Sequence, residues 1–272
     1  MKRFILALPV ALLLAGCNAQ TPNPTSGIAA SFVAGRAFDR SQTALKSGND
    51  KALQNAGRKY ARAAGQLEDK GVLLAGVQPI TLAAMRLELQ AKYAPLSQRD
   101  ALMKGALEKY RAASAFLPAN PRPGQVDAET LNMVGYPLAD RGTTRADWQR
   151  AAQLTRLSLA EWDRQIKPLA PGSRERLQLE AARTIGALDS YAWSLFKLGR
   201  TGEALQKQEK VMAFAEKNPG QLNAEIPYHM AEIYRAAGRD DDAQQQYGAA
   251  LGLSPDPELL LRIDSALNAT QI

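Results

Sequence analysis

Residues 225–251 read Glu-Ile-Pro-Tyr-His-Met-Ala-Glu-Ile-Tyr-Arg-Ala-Ala-Gly-Arg-Asp-Asp-Asp-Ala-Gln-Gln-Gln-Tyr-Gly-Ala-Ala-Leu, and this stretch decides the fold. Ile226, Met230, Ile233, Tyr234 and Ala237 fall at i, i+4, i+7, i+8 and i+11, the spacing of one helix face. Gly238 then supplies a residue suited to end that helix. The run Asp240-Asp241-Asp242 opens a second helix, where acids cap free amides and suit the helix dipole. Ala243, Tyr247, Ala250 and Leu251 repeat the apolar spacing, and Pro255 stops the helix.

Taken as the unit 224–257, this helix–turn–helix resembles a tetratricopeptide repeat. Ala231, Tyr234, Gly238, Ala243, Tyr247, Ala250 and Pro255 follow that family's order of small, aromatic and turn residues. Pro227 departs from it, standing where the family has a large aromatic, although a first helical turn tolerates proline. Residues 185–218 form a second copy, with Leu188, Ala192, Leu195, Gly199 and Ala204 in place and Gln208 and Val211 as departures. A looser copy begins near Asp127, with Leu131, Gly135, Leu138 and Gly142 in its first helix and an insertion in its second, about 147–168.

The N-terminal half repeats only the spacing of the second helix. Ala56, Tyr60 and Ala63, and Ala106, Tyr110 and Ala113, match Ala243, Tyr247 and Ala250. Amphipathic stretches at 28–47 and 78–94 precede them. The alanines that mark the copies fall at 56, 106, 152, 204 and 243, wider apart than the family norm. No segment beyond residue 27 alternates apolar and polar residues long enough to predict a strand. The expected fold is therefore all-α. Through the resemblance it is an α-α superhelix, or solenoid, of about five hairpins plus a capping helix near 256–268. Residues 28–118 form a degenerate helical-repeat region and 127–272 a TPR-like region. Pro118-Ala119-Asn120-Pro121-Arg122-Pro123-Gly124 reads as a linker between sub-bundles.

The first residues carry a different signal. Lys2 and Arg3 precede an apolar run from Phe4 to Leu14, too short for a span of roughly 20 residues and fitting a signal-peptide core. Leu14-Ala15-Gly16-Cys17 then resembles the lipobox of bacterial lipoproteins. The resemblance implies a signal peptide over 1–16, acylation of Cys17 and a membrane anchor of two or three acyl chains, enough for stable attachment. Residues 17–27, polar and proline-rich, read as an anchored flexible tether. Asn18 after the cysteine implies the outer membrane, with the domain facing the periplasm or the surface. Cys17 is the only cysteine, so no intramolecular disulfide is available.

Composition narrows the function. Hydrophobic residues make up 46% and charged residues 22%, as in a folded domain. The formal charge of +7 falls to +5 once Lys2 and Arg3 are removed. With no basic stripe and no binding motif, no nucleic-acid partner is expected. The single histidine, His229, cannot build a two-histidine zinc site, and it reads as a packing or surface residue. No Gly-x-Ser-x-Gly elbow, His-Glu-x-x-His or phosphate loop appears. Neither an enzyme, a metal nor a cofactor is expected.

The remaining expectation is a binding module. Repeats of this family stack into a solenoid whose concave face holds peptides. Carried onto this chain, the residues that line that face are Glu129, Asn132 and Tyr136, then Asp189, Trp193 and Phe196, then Glu225, Tyr228, Glu232 and Arg235. Exposed aromatics among charges would anchor a protein or peptide partner of the envelope. The competing readings are a helical lipoprotein that binds a small molecule or lipid, and a spacer without a specific ligand.

Overall fold

A computed structural model of the protein describes residues 24–64 and 70–269. The signal segment 1–16 and Cys17 lie outside the described residues. Every regular element among those described is helical: α1 (Pro24–Lys46), α2 (Asp50–Ala64), α3 (Lys70–Tyr93), α4 (Leu96–Ala115), α5 (Ala128–Arg141), α6 (Arg145–Ile166), α7 (Arg174–Ala181), α8 (Asp189–Lys197), α9 (Thr201–Lys217), α10 (Glu225–Ala236), α11 (Asp240–Gly252) and α12 (Pro257–Ala269). A π-helical segment, Ala182–Leu188, joins α7 to α8, and one 3-10 turn, Pro219–Gln221, precedes α10. None of these helices is long and apolar enough to cross a membrane.

Chain neighbours pack most extensively, as α1 on α2, α3 on α4, α5 on α6, α8 on α9 and α10 on α11. The expected alanine–tyrosine–alanine spacing is the packing device. Ala56, Tyr60 and Ala63, Ala106, Tyr110 and Ala113, and Ala243, Tyr247 and Ala250 are all buried. Alanine lets helix backbones approach, and each tyrosine fills the remaining gap. Between α5 and α6 a glycine does the same, for a Cβ on Gly135 would come within 2.9 Å of Thr155 and 3.1 Å of Leu154.

The turns follow the chemistry of their residues. Gly199 and Gly238 end α8 and α10 with φ of 78° and 72°, the left-handed conformation glycine adopts without penalty. Asp127 caps α5 by accepting from the Thr130 amide at 2.7 Å. Thr144 and Asp147 form a reciprocal capping box on α6.

Four sequence expectations need correction. Helix α1 starts at Pro24, inside the segment 17–27 taken as tether, because proline suits a helical first turn. The buried alanine of α6 is Ala151, with Ala152 only partly covered, so the register is one residue earlier. Leu251 is 40% exposed and Ala237 is exposed, each at the C-terminal end of its helix. Finally, α11 has no side-chain cap; Asp242 instead accepts from the Arg239 guanidinium at 2.7 Å.

The proline-rich stretch does not divide the core. One apolar cluster runs from Phe116 and Leu117 through Val126 to Leu131. The Gly124 amide donates to Glu161 of α6 at 3.0 Å, which fastens the stretch down. Arg150 of α6 donates to the carbonyls of Ser114 and Leu117 at 2.9 Å each, satisfying the end of α4. Burial pulls the pKa of that guanidinium down to about 10.

Candidate functional site

Of the residues expected on one face, Tyr136, Asp189, Trp193, Phe196 and Tyr228 converge from α5, α8 and α10, and Arg262 of α12 joins them. A tight corner positions the α5 contribution. A Cβ on Gly142 would lie 2.2 Å from the Leu138 carbonyl oxygen and 2.7 Å from the Asp147 Cβ. The chain therefore turns at once from α5 into α6, leaving Asp140 and Arg141 at the corner. The π-helical segment ends one residue before Asp189, so α8 enters the cluster directly after a register shift. Such segments are uncommon and occur often at functional sites.

At the centre, His229 is 1% exposed. Its Nδ1 lies 3.0 and 3.1 Å from the two carboxylate oxygens of Asp189. Gln208 of α9 donates to Asp189 at 2.7 Å and to the Ile226 carbonyl at 3.3 Å. Trp193 stacks on the imidazole, with centroids 4.2 Å apart and planes at 20°. Phe196 stacks on Trp193 at 4.9 Å, and Tyr136 and Tyr228 tilt against His229 at 6.1 and 5.9 Å. Burial opposes protonation of the imidazole, but Asp189, with Glu225 and Asp140 behind it, outweighs burial and raises its pKa.

Arg262 of α12 closes this cluster. It donates to Asp140 at 2.7 and 3.3 Å and lies 5.0 Å from the centre of the Tyr228 ring. Burial would raise the Asp140 pKa, yet the Arg262 charge prevails and lowers it. Beside them Arg141 reaches Glu88 of α3 at 2.7 Å and Glu258 of α12 at 2.9 Å. Glu88 also accepts from the Tyr110 hydroxyl at 2.8 Å. Lys197 sits 5.4 Å from the Trp193 ring centre, and burial lowers its pKa.

The expected exposed aromatic anchors are therefore corrected at two places. Trp193 is 1% and Tyr228 6% exposed, and Asp189 and Glu232 are also buried. Tyr136, Phe196 and Asn132 are partly buried, while Glu129, Glu225 and Arg235 are exposed. Glu232 and Arg235 belong to a different contact, in which Glu232 accepts from Tyr247 and from Arg235. Glu225 stands at the rim, where partial desolvation and the nearby Asp140 and Asp189 raise its carboxyl pKa against the opposing effect of His229. The Trp193 indole nitrogen and the Asn132 and Gln208 carbonyl oxygens are buried without a hydrogen-bond partner.

Sequence reasoning missed His229 as the centre and Asp140 and Arg262 altogether, and it marked Gln208 only as a departure from the repeat pattern. Only the rarity of histidine in the chain drew notice to His229. No local pattern marks Asp140 or Arg262, whereas Gln208, a polar residue where the resembled repeat has an aromatic, is a signal that could have been followed. Among the described residues no group of three or more histidine, cysteine, aspartate or glutamate side chains could hold a metal.

Beside the closed cluster an open groove of about 540 Å³ runs between α4 and α12, with the end of α5 as its floor. Met103 and Leu107 give it an apolar strip. Asp100, Lys104, Glu108, Arg111, Arg141 and Glu258 give it charges of both signs, and Asp140 and Arg262 form its inner end. Comparison with protein-family models, with curated proteins and with solved structures finds no significant match.

Proposed function

We propose that the chain is a lipid-anchored adaptor of the cell envelope, a scaffold of TPR-like hairpins that binds a protein segment or peptide. The observation that carries this reading is the groove between α4 and α12. Its arginines are already held in place by acids: Arg111 by Asp147 at 2.7 Å, Arg141 by Glu88 and Glu258, and Arg262 by Asp140. Such pre-ordering lowers the entropy lost on binding. Charges of both signs around an apolar strip suit a peptide backbone with mixed side chains. The aromatic cluster beneath acts as the rigid support of that groove, since its rings are already packed on one another. The anchor rests on the lipobox-like run ending at Cys17, and Asn18 favours the outer membrane.

A photo-reactive residue placed at Lys104, in the anchored protein in cells, tests the groove. A discrete adduct with one envelope protein, missing when the same residue replaces exposed Glu175, supports the adaptor. Failure to trap any protein from Lys104 removes the groove as the binding site. Labelling with a tagged fatty acid, lost in Cys17→Ser, tests the anchor separately.

A further inference from the structure

We propose that helix α3 docks on an anionic lipid surface through an apolar stripe, independently of the acylation of Cys17. Four large apolar side chains stand exposed along one face of α3: Leu82 64%, Met85 46%, Leu89 57% and Tyr93 84%; Leu96, at the start of α4, is 73% exposed as well. Positions 82, 85, 89 and 93 advance by three and four residues, so they share a single face of α3. The opposite face carries the core residues Val77, Ile80, Ala84 and Ala91. From Leu82 to Tyr93 the stripe is about 16 Å long at the helical rise. A contiguous apolar face of this kind on a folded chain marks an interaction surface.

Charge distribution selects the occupant. Residues 24–118 hold 14 lysines and arginines against 7 acids, whereas residues 119–272 hold 18 against 20. The stripe therefore lies in the basic part of the chain. Exposed Arg86 sits within it, while Lys92, at its border, is paired with Asp256 at 2.8 Å. Glu88, the one acid between Ile80 and Gln98, turns away to Tyr110 and Arg141. Apolar side chains to enter the acyl boundary, the Arg86 cation to meet anionic headgroups and a terminal tyrosine for the interface together make a helix that lies on a membrane. A protein partner would need its own acid opposite Arg86, whereas an anionic bilayer presents acids everywhere. Docked in this way, the chain would lie with α3 along the lipid surface.

The test uses the full chain carrying Cys17→Ser, so that no acyl group contributes, with and without Leu89→Trp. Vesicles of phosphatidylglycerol and phosphatidylethanolamine with brominated acyl chains serve as probe, and phosphatidylcholine vesicles as the neutral comparison. On anionic vesicles the added tryptophan emission should shift to the blue and be quenched, with much weaker quenching on neutral vesicles and in high salt. Leu82→Ser/Met85→Ser/Leu89→Ser, all at exposed positions, should lower partitioning to anionic vesicles by more than about tenfold while leaving the helical signal and melting unchanged. Quenching that is absent, or equal on both lipids, overturns the proposal. So does sedimentation showing a dimer that the triple substitution dissolves, which would assign the stripe to a second copy.

Discussion

Arg262 and Asp140 stand 122 positions apart in the chain and meet through two hydrogen bonds, of 2.7 and 3.3 Å. Asp140 is the more deeply buried of the two, with 6% of its side chain exposed against 30% for the arginine. Removing the cation therefore leaves a carboxylate with little water. Arg262→Ala should cost about 3 kcal/mol of unfolding free energy, while Asp140→Leu/Arg262→Met should cost much less, because no lone charge remains. Denaturant midpoints of the parent, the single and the double variant check this. Equal losses in the two variants would show that the packing of Arg262 on Tyr228, and not its charge, matters.

The raised pKa of His229 gives stability a definite dependence on pH. The folded state holds the imidazole proton more tightly than the unfolded chain, whose value is about 6.5. That contribution is complete below pH 6.5 and is lost as pH rises through the higher folded value. Asp189→Asn should shrink it, because Asp189 is the strongest favourable charge on the ring. His229 is the only histidine, so its NMR titration is unambiguous. A midpoint at or below 6.5 in the folded protein would contradict this account.

Trp193 is almost wholly enclosed and stacks on both His229 and Phe196. Trp193→Ala should lower stability by about 3–5 kcal/mol through the cavity it leaves. Near-ultraviolet circular dichroism should lose the signal of the stacked rings. A variant that melts like the parent would mean the tryptophan is not packed in this way.

Two glycines separate steric conflict from backbone preference. Gly142→Ala would press a Cβ against the Leu138 carbonyl and Asp147, and it should destabilise by about 2–4 kcal/mol. Gly172 has φ of +73° but open space around it. Gly172→Ala should cost about 1 kcal/mol, the usual penalty of the left-handed region. Thermal melts of the two variants should rank in that order.

The packed pairs of neighbouring helices are legible because their signals are local. Ala243, Tyr247 and Ala250, and the same trio in α2 and α4, state by spacing alone which face is buried. Gly199 and Gly238 mark helix ends by their own conformational freedom. The site was only half legible. The repeat-family resemblance assigns Tyr136, Asp189, Trp193 and Tyr228 to one face, but it does not tell an open face from one covered by distant residues. What covers it is α12, through Arg262, and nothing within five or ten residues of either partner announces that pairing. A lone histidine such as His229 reads as a packing or surface residue. Its importance depends on Asp189, 40 residues earlier in the chain.

The return of α12 to the middle of the chain changes how the helices depend on one another. In an array whose members touch only their neighbours, stability is a sum of adjacent couplings and the terminal members fray first. Here the contacts of Arg262 with Asp140, Glu258 with Arg141 and Asp256 with Lys92 tie α12 to α5 and α3. The row of helices thereby becomes a loop of contacts, and α12 cannot peel away without exposing the buried carboxylate of Asp140. Local opening at α10 and α11 is coupled to opening at α5, so backbone amides from helices far apart in sequence should exchange with solvent on a shared timescale.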